Sequence, residues 1–465
     1  VKGSGVVSML EAGATNATDL TVGLSGTGVA GLKSGTVRVE YETDGSGTSG
    51  LGVLGAGTQT ASVSGKVYRL AVGSVPTSVS VGSVRVGEVF APAKLGVSNG
   101  AAADGYSDDL GVTLSGGVGV SVSGNVARLG AGQSDASALS VGYVGSTRTA
   151  GAVSGVATVG YVSKGQVGTG LEDAAPMEGS ASVAVSGTVY RKAEAEVVPM
   201  NLNLGSVRVG EPVSVAALRV RNKASADGYS DDLGVRVVSG SSGFELSGSG
   251  VLAAGEEREF SARYVGSTKT AGVKRGQLSV GLESKGQAGS GLADVTLKPV
   301  TVKVSATVYR PAVEVLESSA LDLGSVREGE SFGAKALSVR NGATADAYSE
   351  KLNVRLGGVS GSVVKGSGVV SLLGAGERDA TGLTVGLRGT GTAGLKSGTV
   401  RVDYQTDGSG TSGLGVLGVG EQTVSVSGKV YRLAVGSVVG KVGLGSVREG
   451  ETFAAKSLEV RNAAV

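Results

Sequence analysis

Two acidic turns hold the residues of this chain that are best suited to chemistry. The segment Asp-Gly-Tyr-Ser-Asp-Asp begins at Asp104 and occurs again from Asp227, and a variant that begins at Asp346 ends in Glu350 and Lys351. Clustered carboxylates beside a glycine turn suit calcium, whereas aspartate in a turn more often bonds its own backbone. We therefore expect no cofactor and retain calcium as the one candidate. Its candidate ligands are Asp104, Asp108, Asp109, Asp227, Asp231 and Asp232.

Three glycine-rich stretches resemble nucleotide-binding loops in their letters. Gly45–Gly50 and Gly408–Gly413 spell Gly-x-Gly-x-x-Gly, but another glycine-broken strand follows each one. A dinucleotide site needs a helix at that point, so that its amides face the pyrophosphate. Gly26–Ser34 nearly spells a phosphate loop, except that Leu32 precedes Lys33 and a predicted strand follows. We predict that the first two are hairpin loops and that none of the three binds a nucleotide.

The residue types that are missing exclude most catalytic and metal chemistry. The chain has no Cys and no His, which removes disulfides, thiolate nucleophiles and the commonest general base. A covalent lysine–asparagine link would need the same lysine in every unit, and Val153 occupies the position of Lys33, Lys274 and Lys396. We expect no catalytic residues, and the protein is not predicted to be an enzyme.

These features lie on a repeating framework. Gly-Ser-Val-Arg begins at Gly82, Gly205, Gly324 and Gly445, in steps of 123, 119 and 121 residues, and the last 102 residues align without a gap to the first 102 at an offset of 363. Repetition at domain length is typical of arrays. We predict three complete units, 73–193, 194–312 and 313–435, called the first, second and third sandwich below. Residues 1–72 form an N-terminal partial unit that lacks the first strands, and 436–465 form a C-terminal partial unit with the first strands only.

The composition narrows the class of protein. Glycine supplies 83 of 465 residues and proline only 7, which excludes collagen, and 40% apolar residues with a net charge of +2 exclude disorder. The scattered cations form no basic stripe, so we expect no nucleic-acid partner. No run of 18 apolar residues occurs, and we predict no membrane-spanning segment.

The third sandwich shows how one unit folds. Short segments alternate apolar and polar residues, with Val400, Val402 and Tyr404 predicted inward and Arg401 and Asp403 outward. A Gly-Ser turn is expected near residue 366. Seven or eight such strands fit an all-β fold of tandem immunoglobulin-like antiparallel β-sandwiches of about 121 residues each. The predicted strands lie at 321–326, 336–341, 352–356, 369–373, 383–387, 399–404 and 423–432.

All twelve tyrosines occupy repeat-equivalent positions. Tyr68, Tyr190, Tyr309 and Tyr431 lie in Val-Tyr-Arg at the end of a unit, and Tyr106, Tyr229 and Tyr348 follow the acidic turn. One interpretation is a binding surface of stacked aromatic rings. We adopt the other, in which a fold without Trp uses its few large rings to fill each sandwich.

One recurring phrase is specific enough to suggest a family. Leu-Gly-Ser-Val-Arg-(Val/Glu)-Gly-Glu, followed by Leu-x-Val-Arg-Asn, occurs from Leu204, Leu323 and Leu444, whereas the copy at Gly82 follows Val81 and ends in Val97-Ser-Asn. With the acidic turn and the Val-Tyr-Arg ending, it resembles the ASH-like (MSP-related) immunoglobulin family, as in bacterial choice-of-anchor D surface proteins. The resemblance implies an exported bacterial β-sandwich array without catalytic residues.

The linkers and the two partial units bear on assembly. The linkers 70–76, 192–200, 311–319 and 433–440 are short, so we expect semi-rigid coupling. Either the chain belongs to a longer repeat protein, or Leu444–Asn462 of one molecule completes residues 1–72 of the next by strand exchange. The residues predicted to carry this assembly are Leu444, Val447, Leu458, Val460 and Asn462.

A structural role follows from these observations. We expect an extracellular or cell-surface filament, sheath or stalk, in which sandwiches pack head to tail and the partners are copies of the same chain or further repeats. The alternative is a surface adhesin array that binds a glycan or a protein.

Overall fold

The computed structural model describes residues 1–175 and 179–465, and all regular structure in those ranges is β. This confirms the all-β prediction. Within the same ranges, no helix is long and apolar enough to cross a membrane. Valine-rich segments with period-2 alternation form strands because branched side chains pack well on a pleated surface.

The N-terminal partial unit consists of two antiparallel strand pairs. The first joins β1 to β2 and the second joins β3 to β4, with Gly31 opposite Val67. The loop 46–50 lies between the two long strands, as predicted for that glycine-rich stretch. The strands are β1 Lys2–Ser4, β2 Thr21–Gly23, β3 Gly31–Gly45 and β4 Leu51–Val67.

The first sandwich has a sheet of five strands, ordered β10-β8-β12-β13-β6, against a sheet of four, ordered β5-β7-β11-β9. The first long strand, β6, runs parallel to the last strand, β13, whereas the other pairs are antiparallel. Its strands are β5 Gly73–Ser74, β6 Ser78–Arg85, β7 Ala93–Asn99, β8 Asp109–Gly116, β9 Val120–Ser123, β10 Val126–Leu129, β11 Ser134–Tyr143, β12 Gly151–Lys164 and β13 Ser180–Tyr190.

The second sandwich repeats this topology. Its sheets are ordered β15-β22-β21-β17-β19 and β14-β16-β20-β18, and β15 is parallel to β22. Its strands are β14 Ala195–Val198, β15 Asn201–Arg208, β16 Ala216–Asn222, β17 Asp232–Gly240, β18 Phe244–Ser247, β19 Gly250–Leu252, β20 Glu257–Tyr264, β21 Gly272–Lys285 and β22 Val295–Tyr309.

In the third sandwich one strand belongs to both sheets. The first half of β27 pairs with β28 and its second half pairs with β26, which links eight strands in the order β23-β25-β28-β27-β26-β29-β30-β24. Gly366 lies inside this strand, so the turn predicted there is wrong. The strands are β23 Glu314–Leu316, β24 Ala320–Arg327, β25 Lys335–Asn341, β26 Lys351–Val359, β27 Val363–Leu373, β28 Arg378–Leu387, β29 Gly394–Asp407 and β30 Val416–Tyr431.

The C-terminal partial unit has one short antiparallel pair, β31 Gly436–Val438 with β32 Val460–Asn462. The four linkers contain the short strands β5, β14, β23 and β31, which pair with β7, β16, β25 and β32 of their own units. The backbone of a linker is therefore hydrogen-bonded to the unit that follows it.

Each complete sandwich has its own apolar core between its two sheets. In the third sandwich, Val400, Val402 and Tyr404 are buried and Arg401 is exposed, as the alternation predicts. Burying each Val or Leu contributes roughly 1.5–3 kcal/mol, so a core of these residues stabilises the fold without Trp. The first long strand of each sandwich pairs in parallel with the last one, so both end side by side where the unit meets the next.

Candidate functional site: the joints between sandwiches

The residues that recur in the sequence meet where one unit follows another. We call these regions joints: the first lies between the N-terminal partial unit and the first sandwich, the second and third between successive sandwiches. At the second joint, Arg191 forms a parallel β-bridge with Ser230, and the amide of Asp231 donates to the carbonyl of Arg191 at 2.9 Å. The same bridge joins Arg69 to Ser107 and Arg310 to Ser349.

A solvent-exposed ion pair at the edge of each joint, called the rim ion pair below, fixes the acidic turn. At the second joint, Arg191 Nη1 donates to both carboxylate oxygens of Asp227 at 2.7 Å and to Ser230 Oγ at 3.0 Å. Asp227 also accepts from the amide of Tyr229 at 3.0 Å, which closes an Asx turn. The equivalent pairs are Arg69–Asp104 and Arg310–Asp346.

These rim contacts lower the pKa of the turn aspartates. The hydrogen bond from Arg191 is the main reason that the pKa of Asp227 lies below its usual 3.8, and the bond from the Tyr229 amide adds to it. Asp104 and Asp346 have lowered pKa values for the same reasons. All three carboxylates are solvent-exposed, so each rim pair is a weak contact that fixes geometry more than it stabilises.

A second arginine reaches into the joint from the unit before it. Arg85, at the end of β6 in the first sandwich, donates from Nε to Asp231 Oδ2 of the second sandwich at 2.8 Å and from Nη2 to the carbonyl of Ala293 at 2.7 Å. Both side chains are buried. A buried ion pair is held only when further hydrogen bonds satisfy it, and Ser284 Oγ supplies one to Asp231 Oδ2 at 2.7 Å.

The third joint keeps this arrangement with a longer acid. Arg208, at the end of β15, donates from Nε to Glu350 Oε2 at 2.9 Å and from Nη2 to the carbonyl of Gly415. Thr406 donates to Oε2 and Ser412 to Oε1 of the same carboxylate. Glu350 is thus part of the buried joint, and the glycine-rich loop 408–413 supplies one of its hydroxyl donors.

Two polar side chains tie the linker to this buried acid. At the second joint, the amide of Ala193 donates to Ser284 Oγ, which in turn donates to Asp231. Asn222 is fully buried and accepts from the amide of Glu194 at 3.2 Å, while its Nδ2 donates to the carbonyl of Asp231 at 3.1 Å. The linker and the acid therefore share one hydrogen-bond network.

The geometry explains why the phrase Gly-Ser-Val-Arg recurs. Gly82, Gly205, Gly324 and Gly445 all have φ between 82° and 93°, a conformation that glycine adopts without strain. The pairing of β6 with β13 shifts register at this point, between Ser80 and Ser83. The resulting bulge re-aims the following Val-Arg, and this places Arg85 at the joint.

The first joint lacks one of these contacts. Tyr68 and Arg69 make the same contacts to Tyr106 and Asp104 as their counterparts do elsewhere. Asp108, the counterpart of Asp231, accepts a hydrogen bond from Ser163 Oγ at 2.9 Å. Among residues 1–175 and 179–465, no cation forms an ion pair with it.

The six calcium candidates have separate roles in the structure. Asp104 and Asp227 bind arginines on the rim, Asp108 and Asp231 are buried at the joint, and Asp109 pairs with Arg128 at 3.0 Å. Burial, followed by the charges of Asp231 and Glu256, raises the pKa of Asp232. No group of three acids in the described ranges is placed to hold a metal ion. Calcium stays a prediction from the sequence.

The tyrosines of Val-Tyr-Arg and of the acidic turn do not fill sandwiches as we expected. Tyr190 and Tyr229 pack across the second joint with ring centroids 6.4 Å apart, and Tyr309–Tyr348 and Tyr68–Tyr106 repeat this at 6.2 and 6.0 Å. The prediction is correct for Tyr161 and Tyr404, which are buried in cores. The error arose because the sequence shows the repeat of a residue but not which of two adjacent units it contacts.

The five residues predicted to carry assembly are exposed in the C-terminal partial unit. Asn462 accepts from the amides of Val435 and Ala464, as Asn341 does from Val313 and Ala343 in the third sandwich. The four apolar residues lack the neighbours that cover their counterparts. They are Leu444, Val447, Leu458 and Val460.

No protein-family model matches the chain, and no curated protein matches it. Among solved structures, it is similar to a protein of unknown function from Porphyromonas gingivalis, at 17% identity and a TM-score of 0.21, over 50% of this chain and 99% of that one. It is also similar to repeats EC22-24 of mouse cadherin-23, at 14% identity and a TM-score of 0.31, over 78% of this chain and 100% of that one.

A third similar structure is PapD-like domain 7 of human CEP192, an ASH/PapD-like domain, at 14% identity and a TM-score of 0.20, over 26% of this chain and 87% of that one. Likenesses this remote concern the fold alone. The chain is a tandem array of immunoglobulin-like β-sandwiches, and the narrower ASH-like assignment stays a prediction.

Sequence reasoning missed the buried ion pairs of the joints. Arg85 and Asp231 are 146 positions apart, in different units. A signal was present, because Gly-Ser-Val-Arg and the acidic turn recur with the same period. Pairing an arginine in one unit with an acid in the next requires knowing that the first strand ends beside the last one.

Proposed function

We propose that this protein is a structural array that forms an extracellular or cell-surface filament, sheath or stalk. The observation that carries this proposal is the joint, which the same residue types build at successive boundaries. Three contacts recur there: a rim ion pair, a tyrosine pair and a backbone bridge. Such joints restrict the motion of neighbouring sandwiches, as a load-bearing or spacing element requires.

Bacterial origin and export to the surface are parts of the same proposal. Their support is the resemblance of the Leu-Gly-Ser-Val-Arg phrases to those of bacterial surface proteins. The missing Cys and His, and the repetition of all prominent motifs, favour a structural role over an enzymatic one.

Assembly head to tail is supported by the exposed faces at the two partial units. The segment that contains β2 corresponds to β28 of the third sandwich. In the third sandwich β28 pairs with β25, and Leu383 lies opposite Leu337. The corresponding residues of the two partial units are Leu20 and Leu458, and both are exposed. Strand exchange between two copies would place them opposite each other.

A disulfide tests this arrangement directly. The chain has no Cys, so the double variant Leu20→Cys/Leu458→Cys introduces only the pair of interest, at positions exposed in the single molecule. We expect disulfide-linked ladders on a non-reducing gel after mild oxidation, and fibres by electron microscopy. Each single variant serves as a control and should stop at dimers. Head-to-tail packing is refuted if the double variant also gives only monomers and dimers.

The adhesin alternative is favoured by one observation on the second sandwich. An open cleft on the outer face of β15, β22 and β21 is lined by Asn201, Asn203, Gln277, Arg275 and Lys303. Neither cation has an ion-pair partner among the described residues, and amides with free cations suit an acidic glycan. The variant Arg275→Ser/Lys303→Ser should abolish retention on an acidic-glycan array. Equal retention of the parent and the variant, or none by either, contradicts this alternative.

A further inference from the structure

The carboxylate of Asp108, at the first joint, is buried and has no ion-pair partner among the described residues. Its residue is 5% exposed, and its hydrogen-bond donor is Ser163 Oγ. Its counterparts Asp231 and Glu350 have the same hydroxyl contact and, in addition, an arginine from the preceding unit. A buried charge without a partner is strongly unfavourable. The first joint is therefore built to accept a guanidinium that no described residue supplies.

The position of the missing arginine follows from the other joints. Arg85 lies beside Tyr190 and Arg208 beside Tyr309, in each case at the end of a strand parallel to the last strand of the unit. In the N-terminal partial unit the last strand is β4, and within the described ranges it pairs with β3 alone. The missing arginine would therefore follow a strand laid parallel to β4 and lie beside Tyr68.

We propose that Arg448 of a second copy of this chain pairs with Asp108, with residues 441–448 of that copy parallel to β4. This segment reads Lys-Val-Gly-Leu-Gly-Ser-Val-Arg, and residues 320–327 pair parallel to β30 with the same Leu-Gly-Ser-Val-Arg ending. Leu444 is 46% exposed where Leu323 is 9% exposed. The inference rests on the proposed head-to-tail assembly and adds the contact that sets its register.

The rest of the second copy's segment supports the same placement. When 441–448 lies along β4, β32 lies along β2, as β25 lies along β28. The repeat also points to a second acceptor. The Lys164–Asp173 and Lys285–Asp294 pairs align Glu172 with Ala293, whose carbonyl accepts from Arg85, so we expect the carbonyl of Glu172 to accept from Arg448. Neither partial unit contains a counterpart of β26, so the docked segment covers one side of the N-terminal partial unit and leaves the free edge of β3 open.

Sedimentation velocity of the full chain over a range of concentrations tests the proposal. We expect the parent chain to self-associate, and Arg448→Gln or Asp108→Asn to weaken association by about 10-fold or more, as for close charge pairs at interfaces. The double variant should be no weaker than either single variant, because the two residues act as a pair. Arg327→Gln is the matched control, since Arg327 ends the equivalent strand of the third sandwich and is exposed; it should leave association unchanged.

The possible results separate the two proposals. A parent chain that stays monomeric at all concentrations overturns the head-to-tail assembly and this inference with it. A parent that associates, with Arg448→Gln behaving like Arg327→Gln, keeps the assembly and overturns the Asp108 contact. Arg448 lies in an exposed segment outside the complete sandwiches, so its substitution leaves their folding unaffected and this second result stays interpretable.

Discussion

Residues 1–68 and 364–431 are two copies of one segment, yet only the second copy has a core. Tyr404 is 1% exposed and Tyr41 is 44% exposed, and Leu383 and Leu20 differ in the same way, at 0% and 47%. Both copies form the same hairpin, with matching register between their long strands. The local sequence is therefore sufficient to form the strands. Burial of their side chains also requires β24, β25 and β26, which are present only beside the second copy.

The same contrast distinguishes the second joint from the boundary between the third sandwich and the C-terminal partial unit. Arg85 is buried against an acid of the next sandwich. Arg327, at the same point of its own unit, is exposed, and its only ion pair among the described residues is with Glu330 at 3.9 Å. Likewise Tyr190 packs on Tyr229, whereas Tyr431 is exposed. Identical residues thus act as joint residues only where an acidic turn of the next unit meets them.

Removing the buried arginine gives the largest expected effect. Arg85→Ala leaves Asp231 buried without its cation, which costs about 3–5 kcal/mol, so the second joint should open. Hydrogen exchange resolved by segment should show the amide of Asp231 losing most of its protection. Arg327→Ala is the matched control, with an expected change within about 0.5 kcal/mol because its side chain is exposed. Equal effects of the two variants would show that the buried pair does not hold the joint.

The paired leucines test the contrast between the two hairpins. Leu383→Ala should destabilise the third sandwich by about 2–5 kcal/mol, because it leaves a cavity in a closed core. Leu20→Ala removes a side chain that is already half exposed, so the single molecule should change by about 0.5 kcal/mol or less. A chain of several domains does not unfold in one two-state step, so the measurement is hydrogen exchange of residues 378–407 and 15–44. A large effect of Leu20→Ala in the single molecule would mean that the N-terminal partial unit is covered.

The fold was predictable because its signals are local. Alternation placed Val400, Val402 and Tyr404 inward, and the repeat of Gly-Ser-Val-Arg predicted a tandem array. Gly366 misled the prediction, because a glycine inside β27 reads as a turn. In the first and second sandwiches, two short strands, β9 with β10 and β18 with β19, stand where β27 is continuous.

The joints were harder to predict because their contacts join different units. The sequence placed Asp108, Asp231 and Glu350 in acidic turns, and the structure buries all three. In the third turn Lys351 replaces one of the acids, and Glu350 stands at the position of Asp108 and Asp231. In the structure it keeps the same ion pair, with Arg208 in place of Arg85. Sequence shows which residues repeat, but the contact of each repeat with its neighbour follows from how the first and last strands end together.

The smallest expected effect is the pH response of the rim ion pairs. The pKa of Asp227 is lowered by Arg191, so its contribution to the joint is fully present above the ordinary value of 3.8 and is lost as pH falls through the lowered value. Asp232, whose pKa is raised by burial, acts in the opposite sense, because protonation relieves the cost of its buried charge. We therefore expect the second joint to loosen only under strongly acidic conditions, seen as a change in the fluorescence of the Tyr190–Tyr229 pair.

Asp227→Asn should remove the Asp227 part of this response and leave the first and third joints unchanged. A response centred near neutral pH would contradict the assignment, because no rim carboxylate with a lowered pKa titrates there.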